Sequence, residues 1–224
     1  HYKYRPLGNW SGKGMGDMEL GVMSKVIDNT NWGLMFYPGV TVPTGMEDDP
    51  DILQDIAFGD GQYDIFGEIA TGYIFSDKLS VGTIFRYTYQ APMSKKLRVP
   101  TGQDFTLSSE KELFQVKYGD RMNLALTASY HLNDWIILTP TYRYMHQFQS
   151  SYSSASGTGD PFLAYNTDKS EHQAQMTMTL SSITPFLKKK FALPAQVHFN
   201  TVHAIAGKNV PKMNRFEVEF RMLF

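Results

Sequence analysis

Hydrophobic and polar residues alternate along most of this chain, most cleanly over Asn214 to Phe224. Phe216, Val218, Phe220, Met222 and Phe224 take alternate positions there, with Arg215, Glu217, Glu219 and Arg221 between them. Successive side chains of a strand point to opposite faces, so this spacing predicts a strand with one apolar and one charged face as far as Leu223. The same period recurs upstream. Met18, Leu20, Val22 and Val26 alternate with Asp17, Glu19 and Lys25, and Asp28-Asn29-Thr30-Asn31 is a turn signal. Trp32, Leu34, Phe36, Val40 and Val42 then carry the apolar face to Pro43-Thr44-Gly45. Pro38 within this strand predicts a bulge or an edge position.

Strands are predicted from Gln62 to Phe75 and from Leu79 to Ala91, around a turn at Ser76-Asp77-Lys78. A turn centred on Asp77 sets Glu68 directly across from Arg86, a favourable cross-strand pair. Leu113–Leu132 reads as one long strand with an interruption at Gly119-Asp120, turning through Asn133-Asp134-Trp135 into Ile136–Phe148. That register faces Leu124, Leu126, Ala128 and Tyr130 with Tyr144, Tyr142, Pro140 and Leu138. Glu171–Ser182 and Ala195–Ala206 lead to the closing strand. This makes about nine strands, and an even count, about ten, is the usual rule for membrane barrels. The tenth is expected from residues 1–14 or from the interruption within 113–132. Short turns alternate with long connections at 46–60, 92–112 and 149–170. The predicted fold is an all-β, antiparallel, up-and-down transmembrane β-barrel of about ten strands, within a range of about eight to twelve. Residues 1–14 form an irregular arm and 15–224 a single barrel domain, with the long loops exterior and the short turns periplasmic.

A soluble barrel also alternates, with its apolar face turned inward. Three features favour the membrane. The charged face continues across strands, charges are nearly absent from the apolar face, and Trp32, Tyr73, Phe75, Trp135, Tyr142, Tyr144 and Phe148 gather near strand ends as an interfacial girdle would. Aromatics are 14% of the 224 residues while no apolar run reaches membrane-helix length, as a barrel with a polar lumen should show. The net charge of −1 gives no reason to expect nucleic acid. The absence of cysteine excludes disulfides and thiolate metal sites and suits an exported protein. No basic and apolar leader opens the sequence, so His1 reads as the start of a processed or trimmed chain.

Arg5-Pro6-Leu7-Gly8, the Gly/Lys-rich stretch after it and Met18-Glu19-Leu20-Gly21 resemble the start of a family of bacterial outer-membrane proteins. These are labelled "MetA-pathway of phenol degradation" or transporter and are distantly similar to the long-chain fatty-acid channel. Val40-Thr41-Val42-Pro43-Thr44-Gly45 and Phe58-Gly59-Asp60-Gly61-Gln62-Tyr63-Asp64 match its Pro-Thr-Gly and Gly-x-Gly-x-Tyr-Asp patterns. The likeness covers roughly the first ninety residues and the closing strand. It implies passage of small hydrophobic or aromatic compounds across the outer membrane. A closing strand ending in Phe likewise resembles the signal that barrel-assembly machinery recognises, carried here by Phe216, Phe220 and Phe224.

The chain has no Gly-x-Ser-x-Gly elbow, His-Glu-x-x-His or phosphate-binding glycine loop, so no enzyme and no cofactor is expected. His146 and His172 fall near the exterior ends of neighbouring strands and read as interfacial polar residues, catalysis or metal binding being the sharper alternative. The acidic stretch 47–60 lacks the spacing of a calcium loop and reads as solvated. Asp64, Glu68, Arg86, Arg143, His198, Asn200, Glu217, Glu219 and Arg221 are the candidate lumen set. They line a polar path or form a salt-bridged plug. Two function classes follow: a passive channel for small hydrophobic or aromatic molecules, or a structural barrel with a closed lumen that holds a protein partner through its long loops. Lipid of the outer membrane is a partner in either case.

Overall fold

A computed structural model describes residues 11–53, 55–103 and 108–222. The first ten residues of the expected arm and the terminal Phe224 lie outside them. The chain forms β1 (Met18–Gly21), β2 (Ser24–Asp28), β3 (Trp32–Val42), β4 (Asp64–Ile74), β5 (Leu79–Gln90), β6 (Met93–Arg98) and β7 (Lys111–Lys117). It continues through β8 (Arg121–His131), β9 (Ile136–Gln147), β10 (Ser151–Ser154), α1 (Asp160–Ala164), β11 (Lys169–Ser181), α2 (Ile183–Leu187), β12 (Ala195–Lys208) and β13 (Arg215–Met222). Ten strands make one antiparallel sheet in the order β1-β3-β4-β5-β8-β9-β11-β12-β13, with β2 also on β3. The connectivity is up-and-down: from β3 onward, apart from a detour through β6 and β7 and another through β10, each strand pairs with the next.

The expected registers hold. Glu68 lies opposite Arg86. Leu124, Leu126 and Tyr130 lie opposite Tyr144, Tyr142 and Leu138. Pro38 acts on its neighbour and leaves its own strand whole. It stays paired with Gly67 across β4, but having no N–H it donates nothing to the first strand, and β1 and β2 separate at Val22-Met23 beside it. Val22 N–H donates to the Pro38 carbonyl at 3.1 Å, and a register shift follows between Lys25 and Ile27. The strand expected to be continuous from Met15 to Val26 is therefore two short ones. That break brings the sheet to ten strands among the described residues, while most of the expected arm lies outside them.

The segment 113–132 does divide at Gly119-Asp120, but its first half leaves the main sheet. β7 joins β6 and β10 in a three-stranded sheet drawn from the second and third long connections. Phe114 and Val116, fully buried, pack there with Val99, Met93, Leu97, Tyr152 and Leu163. This is a small hydrophobic core of ordinary kind, and it caps the long-loop end.

The main sheet is solvated the other way round. Cross-strand pairing puts Glu68, Arg86 and Asn123 on one face and Ile69, Phe85 and Leu124 on the other. On the polar, inner face Asp64 is only 3% exposed, whereas on the apolar face Ile65 is 57% and Phe220 62% exposed. Thr88, Gln90 and Thr179 are buried too, while Trp32, Phe36, Val218 and Phe216 stand outside. A strand of 11 residues such as β4 rises about 3.3 Å per residue and, tilted, carries an apolar band of roughly 25 Å. Trp32 and Tyr73, opposite one another at the short-turn end, and Trp135 against Phe191 at 5.2 Å, border that band.

Ile69 sits between Phe36 and Phe85 midway along the outer face. Ile69→Lys is expected to cost about 2–4 kcal/mol of folding stability in phospholipid vesicles, and Ala70→Lys on the inner face less than about 1 kcal/mol. Urea titration of vesicle-folded protein measures both, and equal costs would refute the assignment of faces.

Candidate functional site

The inner face carries its charge mainly at the long-loop end. Arg86 on β5 forms an ion pair with Glu19 of β1 at 2.5 Å and a looser one with Glu68 of β4 at 3.8 Å. Its guanidinium stacks 3.8 Å over the Phe66 ring, and the Tyr37 hydroxyl donates to Glu19 at 3.3 Å. Gly39 is required beneath this layer, because a Cβ there would strike the Phe66 ring and the Leu20 carbonyl. One layer nearer the loops, Arg121 of β8 pairs with Asp64 at 3.0 Å, and the buried Gln62 donates to Asp64 at 3.0 Å. Two hollows adjoin here. One of about 480 Å³ is bounded by Asp17, Asp60, Asp64 and Arg121, and one of about 390 Å³ by Glu68, Arg143, Glu171 and Gln173; Arg86 and Asn123 line both. Toward the short turns the inner wall formed by β8 and β9 is neutral, with hydroxyl rungs Thr127–Thr141 at 3.0 Å and Ser129–Thr139 at 3.2 Å.

Of the candidate lumen residues, Asp64, Glu68, Arg86 and Arg143 gather around these hollows. His198, Asn200, Glu217, Glu219 and Arg221 lie on the same inner face but in a second group on β12 and β13. There His198 faces Glu219 and Asn200 faces Glu217 across the pair. Asn200 accepts from Thr177 at 2.6 Å, His198 Nδ1 bonds Thr179 at 2.9 Å, and Arg221 donates to Glu219 at 2.7 Å. Among the described residues no hydrogen bond or ion pair joins the two groups. Phe216 and Phe220 stand on the outer face.

Asp17 is the residue that sequence reasoning missed most. Its carboxylate accepts from Gly45 N–H at 2.9 Å and Asp60 N–H at 3.2 Å, which ties the Pro-Thr-Gly turn to the Gly-x-Gly-x-Tyr-Asp loop. A Cβ at Gly59 would collide with that carboxylate, and one at Gly45 would come 2.7 Å from the Gly59 backbone. Gly61 has φ +83°, a left-handed conformation that favours glycine. The motif glycines thus exist to let two backbone segments close on one carboxylate. The signal was available in Asp17 and Glu19, which share the polar face of the first strand.

The acidic stretch is neutralised by the cap, contrary to a merely solvated loop. Asp51 pairs with Arg98 at 2.7 Å and Lys111 at 2.6 Å, and Lys95 reaches the Asp60 carbonyl at 3.4 Å. Burial, then the neighbouring Asp55, raises the Asp48 carboxyl above its usual range. Burial also lifts Tyr118 to about 12 and raises Tyr152. Asp120 is the hinge between cap and sheet. It accepts from Lys117 at 2.5 Å, the Tyr87 hydroxyl at 2.6 Å and Gln90 N–H at 3.0 Å. Burial pushes the Asp120 carboxyl up, but these bonds outweigh it and hold it below the ordinary value. His146 and His172 lie on the outer face among aromatics. His172 Nδ1 bonds the Tyr142 hydroxyl at 2.6 Å and its ring lies 4.7 Å from Tyr144. No group of three potential metal ligands occurs among the described residues.

An antiparallel sheet with an exposed apolar outer face and a charged inner one defines the outer-membrane β-barrel class. Residues 5–182 match the family described as "Putative MetA-pathway of phenol degradation", and the chain belongs to that family. The match runs through the middle of the chain, well beyond the glycine motifs, and stops short of the closing strand. The fold is shared with the COG4313 outer membrane channel from Pseudomonas putida F1, at a TM-score of 0.61 and 15% identity over 93% of this chain. The chain spans 66% of that protein's length. No curated protein matches the chain.

Because the folded-state pKa of Asp120 is lowered, its stabilisation is present above about pH 4, the ordinary carboxylate value, and lost as pH falls through the lower folded value. Acid is therefore expected to loosen β7 before the main sheet, and Asp120→Asn to loosen it at neutral pH, as read by hydrogen exchange over residues 111–120. Exchange that rises uniformly along the chain would contradict this. Gly119 allows the same close approach, since a Cβ there would overlap the Phe148 carbonyl. Gly119→Ala should destabilise by about 2 kcal/mol or more, whereas Gly33→Ala, which meets nothing within 4 Å, should stay within about 1 kcal/mol. Denaturant midpoints measure the difference.

Proposed function

We propose that this protein is a bacterial outer-membrane channel that admits small hydrophobic or aromatic molecules by passive diffusion. The observation that carries the reading is the inverted solvation: apolar side chains face outward around a polar inner wall with hollows in it. Membership of a family described by phenol degradation and the fold shared with an outer membrane channel support the solute class and the location. Outer-membrane lipid covers the apolar face in this reading. The assembly machinery reads the closing strand, with Phe216 and Phe220 on its outward side. No catalysis is assigned.

One observation favours a second reading. The Glu19–Arg86–Glu68 layer and the folded cap both narrow the long-loop end, as they would in a closed barrel that holds a protein partner. Planar-bilayer recording of the refolded chain separates the two. Discrete openings are expected in the parent. Arg86→Ala leaves Glu19 and Glu68 unneutralised and should raise conductance at least about twofold, with a shift toward cation selectivity. A silent parent that conducts only as Arg86→Ala would favour the closed partner barrel. A chain that stays folded in plain buffer and never inserts would refute the membrane reading itself.

A further inference from the structure

Five arginines project from the inner face of the main sheet, and four of them are matched. Arg86 is held by Glu19 and Glu68, Arg121 by Asp64, Arg215 by Glu217 at 3.1 Å and Arg221 by Glu219. Arg143 is the exception. Its side chain is exposed to the lumen, and among the described residues it has no hydrogen bond and no ion pair. The register explains this: on one side it faces Ala125 of β8, which is too short to reach it, and on the other Gln173 of β11. Gln173 is itself turned to Glu171, donating to that carboxylate at 2.8 Å. Glu171 accepts that bond and makes no ion pair with Arg143.

Arg143 opens onto the hollow of about 390 Å³, within the range of small-molecule sites. Ile84 and Met145 give that hollow an apolar wall, and Asn123 adds a neutral amide. Glu68 and Glu171 border it as well. A guanidinium with its fork free takes a carboxylate through two parallel hydrogen bonds. The two bordering acids would repel a second negative charge on the same ligand. A neutral solute leaves Arg143 unused, and a cation meets it directly.

We propose that this hollow is a binding site for small monocarboxylates with an apolar body, the carboxylate on Arg143 and the apolar part against Ile84 and Met145. The proposal deepens the channel reading and rests on it for the route by which the ligand arrives. Its test reads binding and needs no conduction.

Benzoate binding to the detergent-refolded chain is measured by calorimetry beside benzyl alcohol, benzylamine and phthalate. Saturable binding is expected for benzoate and at least about tenfold weaker binding for the other three. Arg143→Gln should weaken benzoate at least about tenfold, Arg143→Lys should restore part of the loss, and Arg221→Gln should change it less than about twofold. Circular dichroism and heat-modifiable gel mobility confirm that each variant is folded. Equal binding of benzoate and benzyl alcohol would overturn the proposal, as would benzoate binding that survives Arg143→Gln in a folded variant. If the parent conducts yet binds no benzoate, the site falls and the channel stands. If it binds benzoate through Arg143 yet never conducts, the site stands and the channel reading falls.

Discussion

Arg86 holds the long-loop end of the sheet together. Its two carboxylates come from different places, Glu68 on the adjacent strand and Glu19 three strands away on the edge. The edge needs that tie. β1 offers β3 only the four residue pairs from Met18 to Gly21, and Pro38 interrupts its continuation into β2. Just before β1, Asp17 gathers the turn at Gly45 and the loop at Asp60. The Arg86 guanidinium therefore holds the edge, and beside it Asp17 holds the turn and the loop. All of it lies on the inner face, because a charge on the outer face would have to leave water for lipid without a partner.

Neutralisation inside the sheet also explains the cap. Long connections carry backbone groups that need partners, and charged side chains over a narrow mouth need counterions. Both needs are met when β6, β7 and β10 fold on Phe114 and Val116, place Arg98 and Lys111 on Asp51, and hang from the main sheet by Asp120. The connections share one small core and one set of ion pairs, and they join the main sheet at Gly119-Asp120.

What the sequence revealed follows from what period two can carry. Alternation and turn position fixed Glu68 against Arg86 and Leu126 against Tyr142, since in an up-and-down sheet a turn of known length determines the whole ladder. Alternation also placed all nine candidate lumen residues on one face. It could not say which of them meet, because curvature and inter-strand reach decide that Asp64 binds Arg121 while Glu219 binds its own neighbour Arg221. Nor could it see the cap, whose strands β6 and β10 are six and four residues long and owe their form to contacts between distant loops. Asp17 escaped notice for a related reason: its place on the polar face was legible, but its partners are backbone amides of two glycine motifs, which no charge pattern marks.

The two edges of the sheet set a last constraint. β1 and β2 both pair with β3, so the ten strands form nine rows, and an odd number of antiparallel rows leaves both outer strands running the same way. β1–β2 and β13 each run from the long-loop end toward the short-turn end. A seam formed directly between them would be parallel, in a sheet whose every pairing is antiparallel, and odd-stranded barrels require that arrangement. The alternative is a further strand between the edges, which would restore antiparallel order on both sides. Within hydrocarbon, unpaired backbone at either edge costs several kcal/mol per group, so one of these solutions must complete the wall. The interrupted β1–β2 edge, with its break at Val22-Met23, offers the poorer ladder of the two. Of the two edges it is therefore the less able to bond a neighbouring strand along its whole length.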